Sequence, residues 1–130
     1  MAKKQLTTFL GPNKGLSILG NHAYAYSGTI ASDNNETVML KFTTGNLYIV
    51  AKIQFFELTI SNDNIEHAVS INSEKVLRVL SSQTVGTSEP DPWLPVIIPP
   101  YSSIEVTAKN AQGSGYLDSI VTLTGRVYNA

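Results

Sequence analysis

Cysteine is absent from this chain of 130 residues. The absence excludes a disulfide framework and any metal site built from thiolates, and it leaves the fold independent of the redox state of its surroundings. A chain of this length suits a single domain, and folding can bury about two-thirds of the surface of the unfolded chain. Stability must therefore come from packing or from association between subunits.

Charge is also scarce, since Asp, Glu, Lys and Arg make up only 15% of the residues. Nine Lys and Arg residues nearly balance ten Asp and Glu residues, and no basic cluster stands out that could neutralise a row of phosphates. Near the N-terminus, Thr7 and Thr8 interrupt an apolar stretch that is too short for a signal peptide or a membrane span. We expect synthesis in a cytoplasm and no nucleic-acid or membrane partner.

Motifs for catalysis are missing as well. The chain contains neither GxSxG nor HExxH, and "GPNKG", residues 11–15, lacks the spacing of a phosphate-binding loop. His22 and His67 are far apart in the sequence, and we interpret them as polar residues at loop ends rather than as metal ligands or general bases. The sequence therefore predicts a protein that is not an enzyme, with no catalytic, cofactor-binding or metal-binding residues.

Side-chain oxygens cluster in "SNDNIEH", residues 61–67. Oxygen-rich loops bind calcium, but this one lacks the glycine and the ligand spacing of an EF-hand. We interpret it as a solvated loop and leave calcium binding open.

The chain does contain alternation of apolar and polar residues with a period of two, which is typical of half-buried strands. It predicts strands at residues 24–30, 38–43, 47–60, 69–71, 74–80, 93–98, 104–109 and 119–129. The phase shifts after Phe55, which predicts a bulge or a bend from one sheet into another. The aromatic residues of the strands are interpreted as core residues or cross-strand pairs: Tyr24, Tyr26, Phe42, Tyr48, Phe55 and Phe56.

Two prolines, Pro99 and Pro100, separate the strands at 93–98 and 104–109. Proline cannot donate a hydrogen bond to a sheet, so the pair predicts a crossover between sheets, and Pro95 predicts a short or edge strand. The fold predicted is all-β: an antiparallel two-sheet β-sandwich, jelly-roll-like, with about eight strands. Residues 1–130 form one domain in this interpretation, with 1–20 as an N-terminal arm or edge segment.

Several short phrases occur in a familiar order: "AYAYSGTI", "TVMLKFTTG", "LYIVAKIQF", "VSINSEKVL", "IIPPYSSIEVTAKN" and "VTLTGRVY". From Tyr24 to Tyr128 the chain resembles small jelly-roll-like virion structural proteins of tailed bacteriophages, such as capsid decoration proteins. The resemblance implies a non-enzymatic accessory protein of the virion that binds the outer shell, with the major capsid protein or another virion protein as its partner. It implies no catalytic residues.

A different function is suggested by three aromatic residues in or beside loops, Trp93, Tyr101 and Tyr116. Jelly-roll sandwiches also serve as carbohydrate-binding modules that stack sugars on exposed rings, so these residues are candidate ligand or interface residues. In the alternative interpretation, Trp93 closes one end of the sandwich. Both alternatives stay open at the level of sequence.

Self-association is predicted from the balance of the composition, which is 42% hydrophobic and 15% charged. The predicted outer faces of the strands are apolar or rich in Thr and Ser, and few ions would need to be desolvated on contact between subunits. We expect a homo-oligomer, with a trimer as the first guess, and keep a soluble monomer as the alternative.

Overall fold

Two antiparallel sheets contain all the regular structure in the part of the chain that the computed structural model describes, residues 7–8, 15–59, 63–81 and 93–129. The predicted all-β sandwich is therefore confirmed. The strands are β1 (Thr7–Thr8), β2 (Ser17–Leu19), β3 (His22–Tyr26), β4 (Ile30–Ser32), β5 (Thr37–Thr43), β6 (Leu47–Glu57), β7 (Ile65–Ile71), β8 (Glu74–Ser81), β9 (Leu94–Ile98), β10 (Ser103–Asn110) and β11 (Leu117–Asn129). Within those ranges, no helix is present that could cross a membrane.

The larger sheet has the order β1-β2-β3-β11-β6-β9, with β4 also paired to β11, and the smaller sheet has the order β5-β10-β7-β8. β3 and β4 pair with the same edge of β11, and Gly28, with φ 70°, lies in the break between them. If β3 and β4 are taken as one strand, the strands from β3 to β11 have the order of a jelly roll. Consecutive strands change sheet at every step except the hairpin β7–β8, which lies within the smaller sheet.

The predicted count of about eight strands is too low. The described residues form eleven strands, and ten of them have three or more residues. The difference has three sources: the break at Gly28 divides one predicted strand, and two short strands, Thr7–Thr8 and Ser17–Leu19, lie in the segment interpreted as an N-terminal arm or edge segment. Ser17–Leu19 pairs with β3. Leu16 is fully buried beside it, so this part of the N-terminal segment contributes to the core.

Alternation of side chains places the core between the two sheets, as the sequence predicted for most strands. Ala23 and Ala25 of β3, Val121 and Leu123 of β11, and Val106 of β10 are all at most 4% exposed. The other inward residues of the central strands are Ile49, Ala51, Ile53, Phe55, Leu40, Phe42, Val69, Ile104 and Ala108.

Pro95, Pro99 and Pro100 lie at an edge strand and at a connection between strands, where proline removes no necessary hydrogen bond from a sheet. β9 is an edge strand of the larger sheet and β10 is a central strand of the smaller one, so Pro99 and Pro100 do mark a crossover between sheets. The crossover is fixed to the turn between β5 and β6. Thr44 donates from its hydroxyl to the carbonyl of Pro99 (2.9 Å) and accepts a hydrogen bond from the amide of Ser102 (3.0 Å).

The bulge predicted after Phe55 is wrong. β6 pairs with β11 from Leu47 to Glu57 without a shift in register, and the inward position after Phe55 is occupied by Glu57, which is 6% exposed. A buried carboxylate at an inward position reverses the apparent phase of the sequence, because apolar residues then follow on the outer face.

Bulges occur in the smaller sheet instead. Between β10 and β5 the pairing skips Met39, which is fully buried, and between β7 and β8 it skips Val76, which is 54% exposed. A bulge redirects the side chain of the extra residue, here inward in one strand and outward in the other.

Candidate interaction surfaces

Aromatic side chains project from the outer face of the larger sheet. Because the small residues Ala23 and Ala25 face the core, Tyr24 and Tyr26 between and beside them face outward and are 46% and 55% exposed. Their interpretation as core residues is therefore wrong. The prediction of a cross-strand pair holds for Tyr48, whose register partner on β11 is Tyr128; the two rings stack with centroids 5.1 Å apart.

An open groove of about 740 Å³ crosses this face, and we name it the sheet groove. It extends over four strands, from β3 through β11 and β6 to β9. Its lining residues are His22, Tyr24, Val50, Ala51, Lys52, Pro95, Thr124, Gly125, Arg126 and Tyr128. Groove volumes of this size are typical of ligand sites in proteins.

The electrostatic character of the sheet groove is positive. Lys52 and Arg126 are exposed, and neither forms an ion pair with another residue of the described ranges. None of the lining residues is acidic. An anionic group entering the groove would therefore meet two cations that need not first release an internal partner.

The floor of the sheet groove requires a glycine at position 125. A Cβ added to Gly125 would lie 2.8 Å from the carbonyl oxygen of Val50 and 2.9 Å from the Cα of Ala51. These neighbours are backbone atoms of the paired strand and cannot move aside without disturbing the pairing. β11 and β6 therefore approach each other closely beneath the groove.

A second candidate surface, which is apolar, lies at the open side of the sandwich, where the edge strands β8 and β9 face each other. A gap of about 250 Å³ between them is lined by Ile71, Val76, Leu77, Pro95, Val96 and Ile97, and we name this surface the β8–β9 flank. Ile97 is 66% exposed and is the most exposed of the large aliphatic side chains in the described ranges. Val76 reaches the gap because it is the extra residue of the bulge in β8.

The outer face of the smaller sheet differs, because it carries three ion pairs. Lys41 pairs with Glu105 (3.8 Å) across β5 and β10, and Arg78 pairs with Glu66 (2.8 Å) across β8 and β7. A third pair joins Lys75 to Glu36 (2.9 Å). Hydrogen bonds from the Arg78 guanidinium hold the pKa of Glu66 below its usual value, although burial acts in the opposite direction.

The three loop aromatics of the sequence prediction do not come together. Trp93 and Tyr101 lie beyond opposite ends of β9, and Tyr116 immediately precedes β11. The amide of Tyr101 is hydrogen-bonded at the turn where β6 begins, whereas Tyr116 lies near the end of β6, about 36 Å away along eleven residues of strand. Each is exposed, at 42%, 76% and 67% for Trp93, Tyr101 and Tyr116. Tyr101 also has φ 56°, in a region that bulky residues rarely adopt.

The two histidines occupy different environments. His22 is exposed on β3, whereas His67 is fully buried on β7, so its interpretation as a loop-end residue is wrong. The His67 ring stacks on Phe55 with centroids 4.3 Å apart, and its Nε2 shares a hydrogen bond of 3.0 Å with the hydroxyl of Ser119. Burial lowers the pKa of His67 to about 3, which keeps the ring neutral. Ser119 is also fully buried, so this pair links the two sheets in a place that substrate cannot reach.

The oxygen-rich segment is only partly within the described ranges, since residues 60–62 lie outside them. Asp63 accepts a hydrogen bond from the side chain of Asn110 (3.2 Å), and Glu66 belongs to β7 and pairs with Arg78. Across the described ranges, no group of three or more His, Asp or Glu side chains lies close enough to hold a metal ion.

No protein-family model matches the chain, and no curated protein matches it significantly.

Sequence reasoning missed the sheet groove and the β8–β9 flank. A signal for the groove was present in the phase of "HAYAY", where alanines alternate with tyrosines and only one of the two sets can face the core. No comparable signal exists for the flank, because the bulge at Val76 depends on the pairing between β7 and β8.

Proposed function

We propose that this protein is a non-enzymatic structural protein that self-associates and attaches to the outside of a virus shell as a decoration or accessory protein. The observation that carries the proposal is the β8–β9 flank, where two edge strands leave apolar side chains uncovered. Ile97 and Val76 together offer a surface that water solvates poorly and that a second subunit would bury.

The structure of β9 supports a side-chain contact rather than extension of the sheet. β9 has only five residues, and Pro95 within it lacks an amide donor. Such strands are poor templates for pairing with another strand. Contact between subunits at this edge would therefore depend on packing of Ile97, Val76 and their neighbours, which favours a closed oligomer over an open fibre.

The attachment to a virus shell rests on the sequence resemblance and on the jelly-roll order of the strands. The partners proposed are further copies of this chain, with three as the first guess, and the major capsid protein or another virion protein. Several equal contacts around a symmetry axis of the shell would give a ring of subunits an avidity that one weak contact lacks. The location proposed is the virion.

The self-association is tested by light scattering coupled to size exclusion at high micromolar concentration. We expect a multiple of the 14.1 kDa subunit mass for the unchanged protein and a shift to the monomer for Val76→Glu. Leu80→Glu is the matched control, because Leu80 is on the same strand and is also 54% exposed but does not line the gap. A monomer at all concentrations would contradict the proposal.

The attachment is tested separately by electron microscopy of particles produced with and without the protein. Additional density on the outer surface, at symmetry axes of the shell, is the result expected. Particles that are identical in the two preparations would overturn the virion assignment while leaving the self-association intact.

A further inference from the structure

We infer that the sheet groove is a binding site for an acidic oligosaccharide. The inference does not depend on self-association or on attachment to a virus shell, because the groove lies on the outer face of the larger sheet and shares only Pro95 with the lining of the β8–β9 flank.

Two tyrosine rings border the sheet groove. Tyr24 is the register partner of Thr124, and Tyr128 lies four residues further along β11, which separates the two positions by about 13 Å along the strand. Both rings are partly exposed, and the stacking of Tyr128 on Tyr48 limits its rotation. Aromatic rings held in place on a rigid sheet provide stacking surfaces for the apolar faces of sugar rings.

One cation, Arg126, lies between the two rings, and the other, Lys52, lies across β11 from Tyr24. Arg126 occupies the position on β11 between Thr124 and Tyr128, and Lys52 is the register partner of Thr124 on β6. Arg126 can bind a carboxylate or sulfate with two parallel hydrogen bonds, and Lys52 adds a point charge. The hydroxyl of Thr124 supplies a neutral donor and acceptor beside them. A chain of sugars with an anionic group near its middle matches this order of ring, cation and ring.

A peptide is a poorer match for the same groove. Peptides that bind sheets add a strand to a free edge and depend on its unpaired backbone donors. The sheet groove crosses β11 and β6, and both strands are paired on each side, with β3 and β6 for β11 and with β11 and β9 for β6. Recognition must therefore use side chains, which is how sugar hydroxyls and anionic groups are bound.

Calorimetric titration with defined acidic oligosaccharides tests the inference. The probes are oligogalacturonides for carboxylated sugars and heparin oligosaccharides for sulfated sugars, with a neutral galactan oligosaccharide of similar length for comparison. We expect binding of at least one acidic probe, weaker binding at higher salt, and weaker binding of the neutral probe.

Substitutions of residues that line the sheet groove test whether the oligosaccharide binds there. Tyr24→Ala keeps the charge but removes a ring, whereas Lys52→Gln and Arg126→Gln keep most of the shape but remove a charge. Each should weaken binding by roughly tenfold, in line with a lost stacking or charged contact. Tyr116→Ala and Lys41→Gln are the matched controls, because they remove an exposed tyrosine and a lysine elsewhere on the molecule, and binding should then change less than about twofold.

Three outcomes would overturn the inference. The first is the absence of binding to any acidic probe at millimolar concentration. The second is equal loss of binding in the control variants, since that would place the contact outside the groove. The third is binding of polyglutamate that equals the acidic oligosaccharides and depends on the same residues, since that would identify an acidic protein surface as the ligand.

Discussion

The outer face of the smaller sheet carries three ion pairs, whereas the outer face of the larger sheet carries Lys52 and Arg126 without a carboxylate partner among the described residues. The larger sheet also exposes tyrosine rings, and its edge strand exposes Ile97. A charge that is paired within the chain stabilises the folded protein, but a binding partner can contact that charge only by breaking the ion pair. A charge or ring that has no internal contact is available for binding.

This difference suggests that the two faces were selected for different tasks. The ion pairs on the outer face of the smaller sheet would have to be desolvated on contact with a partner, so association on this face is disfavoured. The larger sheet and the β8–β9 flank present the surfaces on which a ligand or a second subunit would gain most binding free energy.

The largest effect is expected from Val106→Asp, compared with Glu105→Lys on the other face of the same strand. Val106 is fully buried, so an unpaired carboxylate there should cost several kcal/mol or prevent folding. Glu105→Lys removes a pair whose atoms are 3.8 Å apart at the surface and should cost less than about 1 kcal/mol. Equal melting temperatures for the two variants would contradict the register of β10.

Gly125→Ala should also destabilise the protein, by about 3 kcal/mol, because the added Cβ meets backbone atoms of β6. Gly115→Ala is the matched control, since no atom lies within 4 Å of its added Cβ. Denaturant unfolding of both variants measures the difference. If Gly125→Ala were as stable as the control, the close approach of β11 and β6 would be wrong.

Acid should weaken the junction of the two sheets through His67. Its pKa is about 3 in the folded protein, against 6.5 for an ordinary histidine, so the unfolded chain binds a proton in this range and the folded chain does not. Stability is therefore full above pH 6.5 and falls as the pH decreases toward 3, by at most about 1.4 kcal/mol per pH unit. Denaturant unfolding between pH 7 and pH 5 should show this slope in the His22→Gln variant as well. NMR detection of a His67 ring that titrates near pH 6.5 in the folded state would refute the assignment.

The smallest effect concerns the outer faces themselves. Arg78→Gln removes the partner of the largely buried Glu66 and should lower the melting temperature, whereas Lys52→Gln removes a charge with no ion-pair partner among the described residues and should leave the melting temperature nearly unchanged. Thermal unfolding of the two variants at low and high salt checks this, and salt should reduce only the cost of Arg78→Gln. Equal costs for both would remove the distinction between the faces.

Alternation in the sequence was sufficient to predict the fold class, the inward residues of β11 and β10, and the crossover at Pro99 and Pro100. It failed where an inward position is polar. Glu57 and His67 face the interior, and a period of apolar residues cannot show a core position that is filled by a carboxylate or an imidazole. The side of the sheet that Glu57 and His67 face is decided by the pairing of their strands with neighbouring strands.

The candidate surfaces were harder to predict than the fold. Trp93, Tyr101 and Tyr116 were the predicted ligand or interface residues, because loops carry the binding residues of many proteins. The structure instead gathers Tyr24, Tyr128, Lys52 and Arg126, which are distant in sequence and meet only because β3, β11 and β6 are neighbours in one sheet. Strand order is a property of the whole chain, so spacing along the sequence could not reveal this group.

Oxidative footprinting at two protein concentrations tests most directly whether the β8–β9 flank, and not the outer face of the smaller sheet, is the surface of self-association. The reaction rates of Val76, Ile97 and Leu80 are compared at low and at high micromolar concentration. We expect Val76 and Ile97 to become protected as the concentration rises, while Leu80, equally exposed on the same strand as Val76, reacts at an unchanged rate. Protection of Leu80 without protection of Ile97, or equal rates for all three at both concentrations, would contradict the assignment.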